Sequence, residues 1–392
     1  MEELTLNLQK FIDNKSYQGI EWKINYKGKI FQNKVGYSNL SKKPLNTNSI
    51  YRIWSMTKPI ISVATLQLID EKKIKLDDPI NLYLPHFNNL KVLIDENSSI
   101  KNIKDVETMP TIKNLLLHTA GFSYGFLNDT VGQSYEKKKL FHSDNTTLEE
   151  EINILSSCPL VCEPSKKWIY SVSIDVLGRI IEVVLEDSLQ NILKKKIFDP
   201  LEMIDTGYSV PLESDKRLVN SYTYNSEKNF LTEVGKQGIE ILGYPLNVSS
   251  YARGGHGLYS SLEDYHNFAR MLLNGKSTNG ETILSDKMLK FATIDHLGKE
   301  YFPLEIVVPG KDNDENFMDP YGWGLGFRVF VDLEKGNNIG SLGEFGWSGA
   351  ASTFFLVDPI NNLTAVLMTQ VLNGLKDLNK NFLKVIYSNL DL

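Results

Sequence analysis

Cysteine is nearly absent from this chain: two in 392 residues, Cys158 and Cys162, both in the segment CPLVC. A fold built on a disulfide framework is thereby excluded. No further cysteine and no histidine pair stands near them at ligand spacing, so they read as two small buried thiols in a reducing compartment. The six histidines, His86, His118, His142, His256, His266 and His296, form no H-x-H or H-E-x-x-H pattern. No metal and no cofactor is expected. Apolar runs are short as well. None reaches the ~18 residues a membrane span needs, so no membrane partner is expected. Basic residues are not clustered. Lysines are scattered and outnumber arginines, and the net charge is −6, which argues against a nucleic-acid partner. The first stretch, MEELTLNLQKFIDNK, lacks the basic and apolar regions of a secretory leader, and the expected location is cytoplasmic.

What is present is ordinary globular material: 42% hydrophobic and 23% charged residues, with length enough for two or three lobes. Residues 3–13 carry an apolar helical stripe. GIEWKINYKGKIFQNKVGYS alternates about a Lys-Gly turn and predicts a β-hairpin over 19–25 and 29–37. SMTKPIISVATLQLIDEKK is apolar around most of its circumference and predicts a central buried helix from Ser55 to Lys72. Residues 88–110 read as an irregular surface insertion. TIKNLLLHTAGF has helical spacing with Gly121 as its stop. Residues 123–148 read as a mobile flap. Further helices are expected at 173–186, 261–275 and 376–389, and residues 298–320 are polar again.

YGWGLGFRVFVDL, GAASTFFLVDP and NNLTAVLMTQV read as three strands. Strands thus lie at both ends of the chain and helices fill its middle. The economical arrangement is one antiparallel sheet, from residues 1–50 and 315–392, covered by the terminal helices. A mostly helical lobe, 51–314, is inserted, and small-molecule sites favour the cleft between such lobes.

Three serines compete for a catalytic role. Ser123, in GFSYG, spells G-x-S-x-G, but a nucleophile elbow requires a strand before it and a helix after it. Here a helical pattern precedes and a turn-rich stretch follows. Ser348, in GWSGA, is followed by a β-rich segment and fails the same requirement. Ser55 and Lys58, in RIWSMTKPI, stand three apart at the start of the buried helix, on one face. A serine hydroxyl needs a neighbouring base. A lysine serves there when burial disfavours its charged form. The helix N-terminus adds partial positive charge and free N–H groups. By itself S-x-x-K is a weak signal. Tyr170, in KKWIYSVSIDVLG, precedes the second apolar helix.

YRIWSMTKPI, LLLHTAGF, WIYSVSIDVLGRIIE, GGHGLYSSLEDY, YGWGLGF and GWSGAA, in that order from about residue 20 to 370, resemble the serine β-lactamase and penicillin-binding-protein superfamily. Within it they are most similar to the class C-like branch that includes the family VIII carboxylesterases. The resemblance implies an α+β, β-lactamase-like fold with the active site between sheet and helical lobe. It implies Ser55 as the acylated nucleophile, and Lys58 and Tyr170 as the pair that moves its proton, either one serving as base. A tyrosine, which ionises near about pH 10, needs a nearby cation for that task. Trp347, Ser348 and Gly349 stand where lactam-processing relatives have Lys-Thr-Gly. The N–H groups of Ala350 and Ser55 would form an oxyanion hole, each donor typically worth roughly 3–4 kcal/mol. Gly349 would let substrate approach the strand, Trp347 would wall the pocket, and His256, in GGHGLYS, would face the cleft.

Two departures from the family pattern matter. The third motif lacks its lysine, and Val172 replaces the asparagine that bonds a substrate amide. A site for an amide and a carboxylate has lost both handles, which points to the esterase branch. The expected function is a serine carboxylesterase acting through an acyl-enzyme on small or short-chain esters. The alternatives are an amide hydrolase (a β-lactamase, a D,D-peptidase or a hydrolase of small linear amides), an acyltransferase, a non-catalytic scaffold, and an α/β-hydrolase using Ser123. The scaffold reading predicts loss of Ser, Lys or Tyr, and none is lost. The expected partner is a small-molecule ester or amide. The sequence carries no reading of oligomeric state.

Overall fold

The computed structural model describes residues 1–46, 48–141, 146–235, 252–306, 318–375 and 377–389. His142 and residues 307–317 of the polar stretch lie outside the described residues. The hairpin forms as Gly19–Tyr26 and Lys29–Gly36. Its turn places Lys27 and Gly28 in the left-handed region, φ 49° and 84°, the twist that two-residue hairpins favour. Gly19–Tyr26 then pairs with Leu363–Met368 from the far end of the chain, Glu21 opposite Met368 and Tyr26 opposite Leu363. The sheet continues through Phe354–Asp358, Phe345–Ser348, Arg328–Phe330 and Tyr321–Trp323. All seven strands are antiparallel to their neighbours.

Alternation along the strands sorts side chains to two faces. Ile20, Trp22, Ile24, Leu356, Ala365 and Leu367 face the terminal helices Glu2–Asp13 and Asp377–Asn389, which contribute Leu4, Leu8, Leu378, Phe382 and Ile386. On the opposite face Phe355 meets Tyr265 and Phe268 at ring separations of 5.2 and 6.4 Å. Those two rings belong to the helix Leu262–Asn274, capped by Ser261 and ended by left-handed Gly275. This helix falls in the stretch read as helical lobe, yet it lies against the sheet because its apolar stripe carries the aromatics that fit there.

The central helix is Thr57–Asp70, preceded by a single 3₁₀ turn, Trp54–Met56, and buried continuously from Thr57 to Leu68. It packs on Ser173–Leu185 within the largest core cluster.

Several expectations need correction. The stretch 88–110 holds a two-stranded sheet, Lys91–Leu93 with Ile103–Asp105, whose Val92 and Leu93 are buried. The stretch 123–148 contains a helix, Thr130–Lys137, capped by Asp129. The helix in TIKNLLLHTAGF ends at Leu116, ahead of Gly121, because His118 itself adopts the left-handed conformation. YGWGLGFRVFVDL splits into two strands, since Gly324 and Phe327 close a tight turn between them. FGWS is itself a strand, Phe345–Ser348, ahead of the β-rich segment that follows it.

Candidate active site

Ser55 sits in the 3₁₀ turn at the head of the buried helix. The turn is strained: Trp54 has φ 49°, a conformation disfavoured for a bulky residue and common where a functional group must be presented. Ile53 anchors it by donating to the Leu258 carbonyl at 3.0 Å. Ser55 is half-buried, between neighbours that are buried.

Lys58 is 2% exposed, and its Nζ donates to Ser55 Oγ at 3.1 Å and to the Gly255 carbonyl at 2.8 Å. The ammonium also lies 4.8 Å from the Tyr170 ring and 5.2 Å from the Tyr124 ring. Aromatic faces attract cations, so these rings replace part of the lost hydration. Behind Gly255 stands Asp175, fully buried, whose Oδ1 accepts the Gly255 N–H at 2.8 Å. Burial pushes the Asp175 carboxyl up to about 6 against the pull of the Lys58 charge. One residue, Gly255, thus stands between this carboxyl and the lysine, its N–H on the first and its C=O on the second.

Tyr170 is buried, and the Trp347 Nε1–H donates to its phenolic oxygen at 3.3 Å. Trp347 is 2% exposed; it packs against Tyr170 at 5.4 Å and edge-on to Trp323 at 4.7 Å. Its indole is therefore engaged with the tyrosine.

Gly349 approaches the Ser55 turn directly. A Cβ there would come within 2.5 Å of the Ile53 carbonyl oxygen and 2.2 Å of Thr353 Oγ1. The glycine is required by the chain's own close packing at the Ser55 turn. Ala350, the next residue, is exposed, and among the described residues neither its N–H nor that of Ser55 enters a hydrogen bond. His256 is half-buried, one residue beyond the carbonyl that holds Lys58.

Through these contacts the structure links Ser55, Lys58, Tyr170 and Trp347 in one chain. Gly349 is against the Ser55 turn and His256 is beside Gly255. Ser123 lies outside the chain of contacts. It is fully buried and donates to Asp129 Oδ2 at 2.5 Å, bracing the cap of the helix Thr130–Lys137. Asp175 and Tyr124 were missed from sequence. The available signal for Asp175 was a carboxylate in the apolar first turn of the helix Ser173–Leu185. Cys158 and Cys162 are free thiols. Among the described residues no group of three or more His, Cys, Asp or Glu side chains is placed to hold a metal, and no helix is long and apolar enough to cross a membrane.

An antiparallel sheet backed by terminal helices, with a Ser-Lys turn facing it, defines a β-lactamase-like fold. The chain belongs to the Beta-lactamase family, whose model matches residues 4–386. It is similar to Protein Rv1367c of Mycobacterium tuberculosis, 29% identical over 86% of this chain and 82% of that protein. It is also similar to Esterase EstB of Burkholderia gladioli, 26% identical over 83% of this chain and 79% of that one. Among solved structures it superimposes on EstCE1, described as a hydrolase with promiscuous acyltransferase activity. The TM-score is 0.80 at 21% identity, and the match covers 98% of both chains.

Proposed function

We propose that this protein is a serine carboxylesterase that works through an acyl-enzyme on Ser55. The observation that carries the reading is Lys58, buried and shared between Ser55 Oγ and the Gly255 carbonyl, with Tyr170 against its ammonium. Ser55 Oγ attacks the ester carbonyl carbon while its proton passes into the Lys58–Tyr170 pair, which starts the step one proton short, either as amine beside phenol or as ammonium beside phenolate. The N–H groups of Ser55 and Ala350 take the negative charge of the tetrahedral intermediate. Collapse breaks the bond to the leaving alkoxide, which receives the proton. Water then attacks the acyl-Ser55 ester by the reverse proton route, releasing the acid and restoring the serine.

Two features favour an ester over an amide or a lactam. Trp347 spends its N–H on Tyr170 at the position where relatives carry a cation. Val172, fully buried, offers no group to a substrate amide. The similarity to Esterase EstB supports the same choice. Residues 1–50 and 315–392 form the sheet lobe in this reading and 51–314 the helical lobe, apart from the helix Leu262–Asn274 that packs on the sheet, with the site in the seam. The two free thiols fit a reducing, cytoplasmic setting.

The test is hydrolysis of p-nitrophenyl butyrate by the wild type and by Ser55→Ala. Turnover by the wild type alone is expected. Turnover surviving in Ser55→Ala would mean another nucleophile, and a folded wild type inactive on esters but active on amides would move the assignment to amide hydrolysis.

A further inference from the structure

His118 holds the backbone on both sides of Tyr170. Its main-chain carbonyl accepts the N–H of Ile169 at 2.8 Å, and its imidazole Nδ1 accepts the N–H of Ser171 at 3.2 Å. Tyr170 is the residue between. The imidazole also packs on the tyrosine ring at 4.9 Å. The left-handed backbone of His118, φ 55°, ends the helix Ile112–Leu116 and makes both contacts available from one residue.

We infer that neutral His118, carrying its proton on Nε2, is a positioning residue that sets the location of Tyr170. A backbone N–H directed at Nδ1 requires a lone pair there, which fixes the tautomer. The Ser171 hydroxyl lies 3.4 Å from the same nitrogen and 2.8 Å from Ser173 Oγ, so the acceptor side is bounded by hydroxyls. Among the described residues Nε2 is buried without a hydrogen-bond partner, and the ring meets Trp323 and Trp168 edge-on at 5.3 and 6.2 Å. A second proton is opposed by burial first and by the Lys58 charge next; both push the imidazole well below its ordinary pKa. His118 is thus a fixed acceptor, and its purpose is geometric. Proton transfer through Tyr170 depends on where the phenolic oxygen stands, and an error of about 1 Å can cost roughly 100-fold in rate.

The inference rests on the proposed role of Tyr170, so the experiment includes Tyr170→Phe as a reference. Turnover of p-nitrophenyl butyrate is compared for the wild type, Tyr170→Phe, His118→Phe and His118→Asn. Folding of each is checked by thermal denaturation. Phenylalanine keeps a ring of similar size and removes the acceptor. Asparagine restores an acceptor at the δ position and tolerates the left-handed backbone. His118→Phe is expected to lose roughly 100-fold in kcat, with KM changed by less than about threefold. His118→Asn should recover at least about tenfold of that loss. Nitrogen NMR of the wild-type imidazole should place the proton on Nε2 throughout the range from about pH 6 to about pH 9.

Full kcat in folded His118→Phe, a His118→Asn variant as slow as His118→Phe, or a proton on Nδ1 would each overturn the inference. If His118→Phe does not fold, the wild-type tautomer decides. An active Tyr170→Phe would instead remove the catalytic reading itself. An inactive Tyr170→Phe beside a fully active His118→Phe would remove only the positioning role.

Discussion

Trp347 donates its indole N–H to the phenolic oxygen of Tyr170 across 3.3 Å, and both side chains are buried. In the proposed reaction Tyr170 relays a proton, and a donor placed at its oxygen would assist that transfer. Trp347→Phe keeps the aromatic packing and removes the donor. A neutral hydrogen bond contributes about 0.5–1.5 kcal/mol. The variant should therefore lose up to about tenfold in kcat, with KM little changed. Steady-state kinetics on p-nitrophenyl butyrate read this split. An unchanged kcat would show that the indole N–H has no part in the reaction.

Gly349→Ala should be damaging in two ways. Its Cβ would meet the Ile53 carbonyl oxygen at 2.5 Å, and a backbone atom cannot swing aside. The strand carrying Ala350 must then move away from the Ser55 turn. We expect a lower melting temperature together with a loss of kcat of about 100-fold or more. A variant with wild-type stability and turnover would show that the close approach is unnecessary.

Ser123→Ala should remain an active enzyme. The hydroxyl is buried and bonded to Asp129, so its removal leaves a half-buried carboxylate short of one partner at a helix cap. The expected cost is about 1–2 kcal/mol of stability, measured by denaturant unfolding, with turnover of the folded protein preserved. Loss of turnover in a folded variant would reopen the G-x-S-x-G reading.

The buried carboxylates predict a pH dependence of stability. Burial raises Glu344 to about 7, even though Tyr387 donates to it and Arg328 lies near. Glu21 is likewise raised by burial to about 7. A carboxyl whose folded pKa exceeds its unfolded value binds its proton more tightly when folded. Its stabilising contribution is complete below the ordinary glutamate range and is lost as pH rises toward about 7. These two groups should thus contribute a loss of stability between about pH 4.5 and pH 7. Glu344→Gln, neutral throughout, should remove roughly 1–3 kcal/mol of that loss. Identical pH slopes for the two proteins would contradict the burial argument.

The parts of this molecule legible from sequence were those with a strong local pattern. The hairpin was visible because Lys27-Gly28 and strict alternation coincide. The buried helix after Ser55 was visible because nothing polar interrupts its circumference before Gln67 except small hydroxyls and Lys58 itself. Ser55 and Lys58 stand three apart at the head of that helix, a weak signal that gained its weight from the other motifs of the family resemblance. The strand pairing Glu21 with Met368 required both chain ends to be read as one sheet, which the similar strand patterns at the two ends allowed.

Long-range contacts without a local signature were not legible. The tie between Lys58 and the Gly255 carbonyl spans most of the helical stretch, and a main-chain acceptor leaves no mark in a sequence. The bond from Trp347 to Tyr170 is of the same kind. A tryptophan at that position reads as a pocket wall until its indole nitrogen is located. His118 was visible only as part of the motif LLLHTAGF. Its left-handed backbone is what ends the preceding helix, and histidine is not the residue that pattern reasoning assigns to a helix stop.

The central claim is that Ser55 carries the acyl group, and the most direct measurement is covalent trapping. A p-nitrophenyl alkylphosphonate reacts when an activated hydroxyl attacks phosphorus and p-nitrophenolate leaves, giving a stable ester. Peptide mass spectrometry of the wild type should place one adduct on Ser55, and Lys58→Ala should label more slowly by about 100-fold or more. An adduct on Ser123 or any other residue, or labelling at an undiminished rate in Lys58→Ala, would contradict the account.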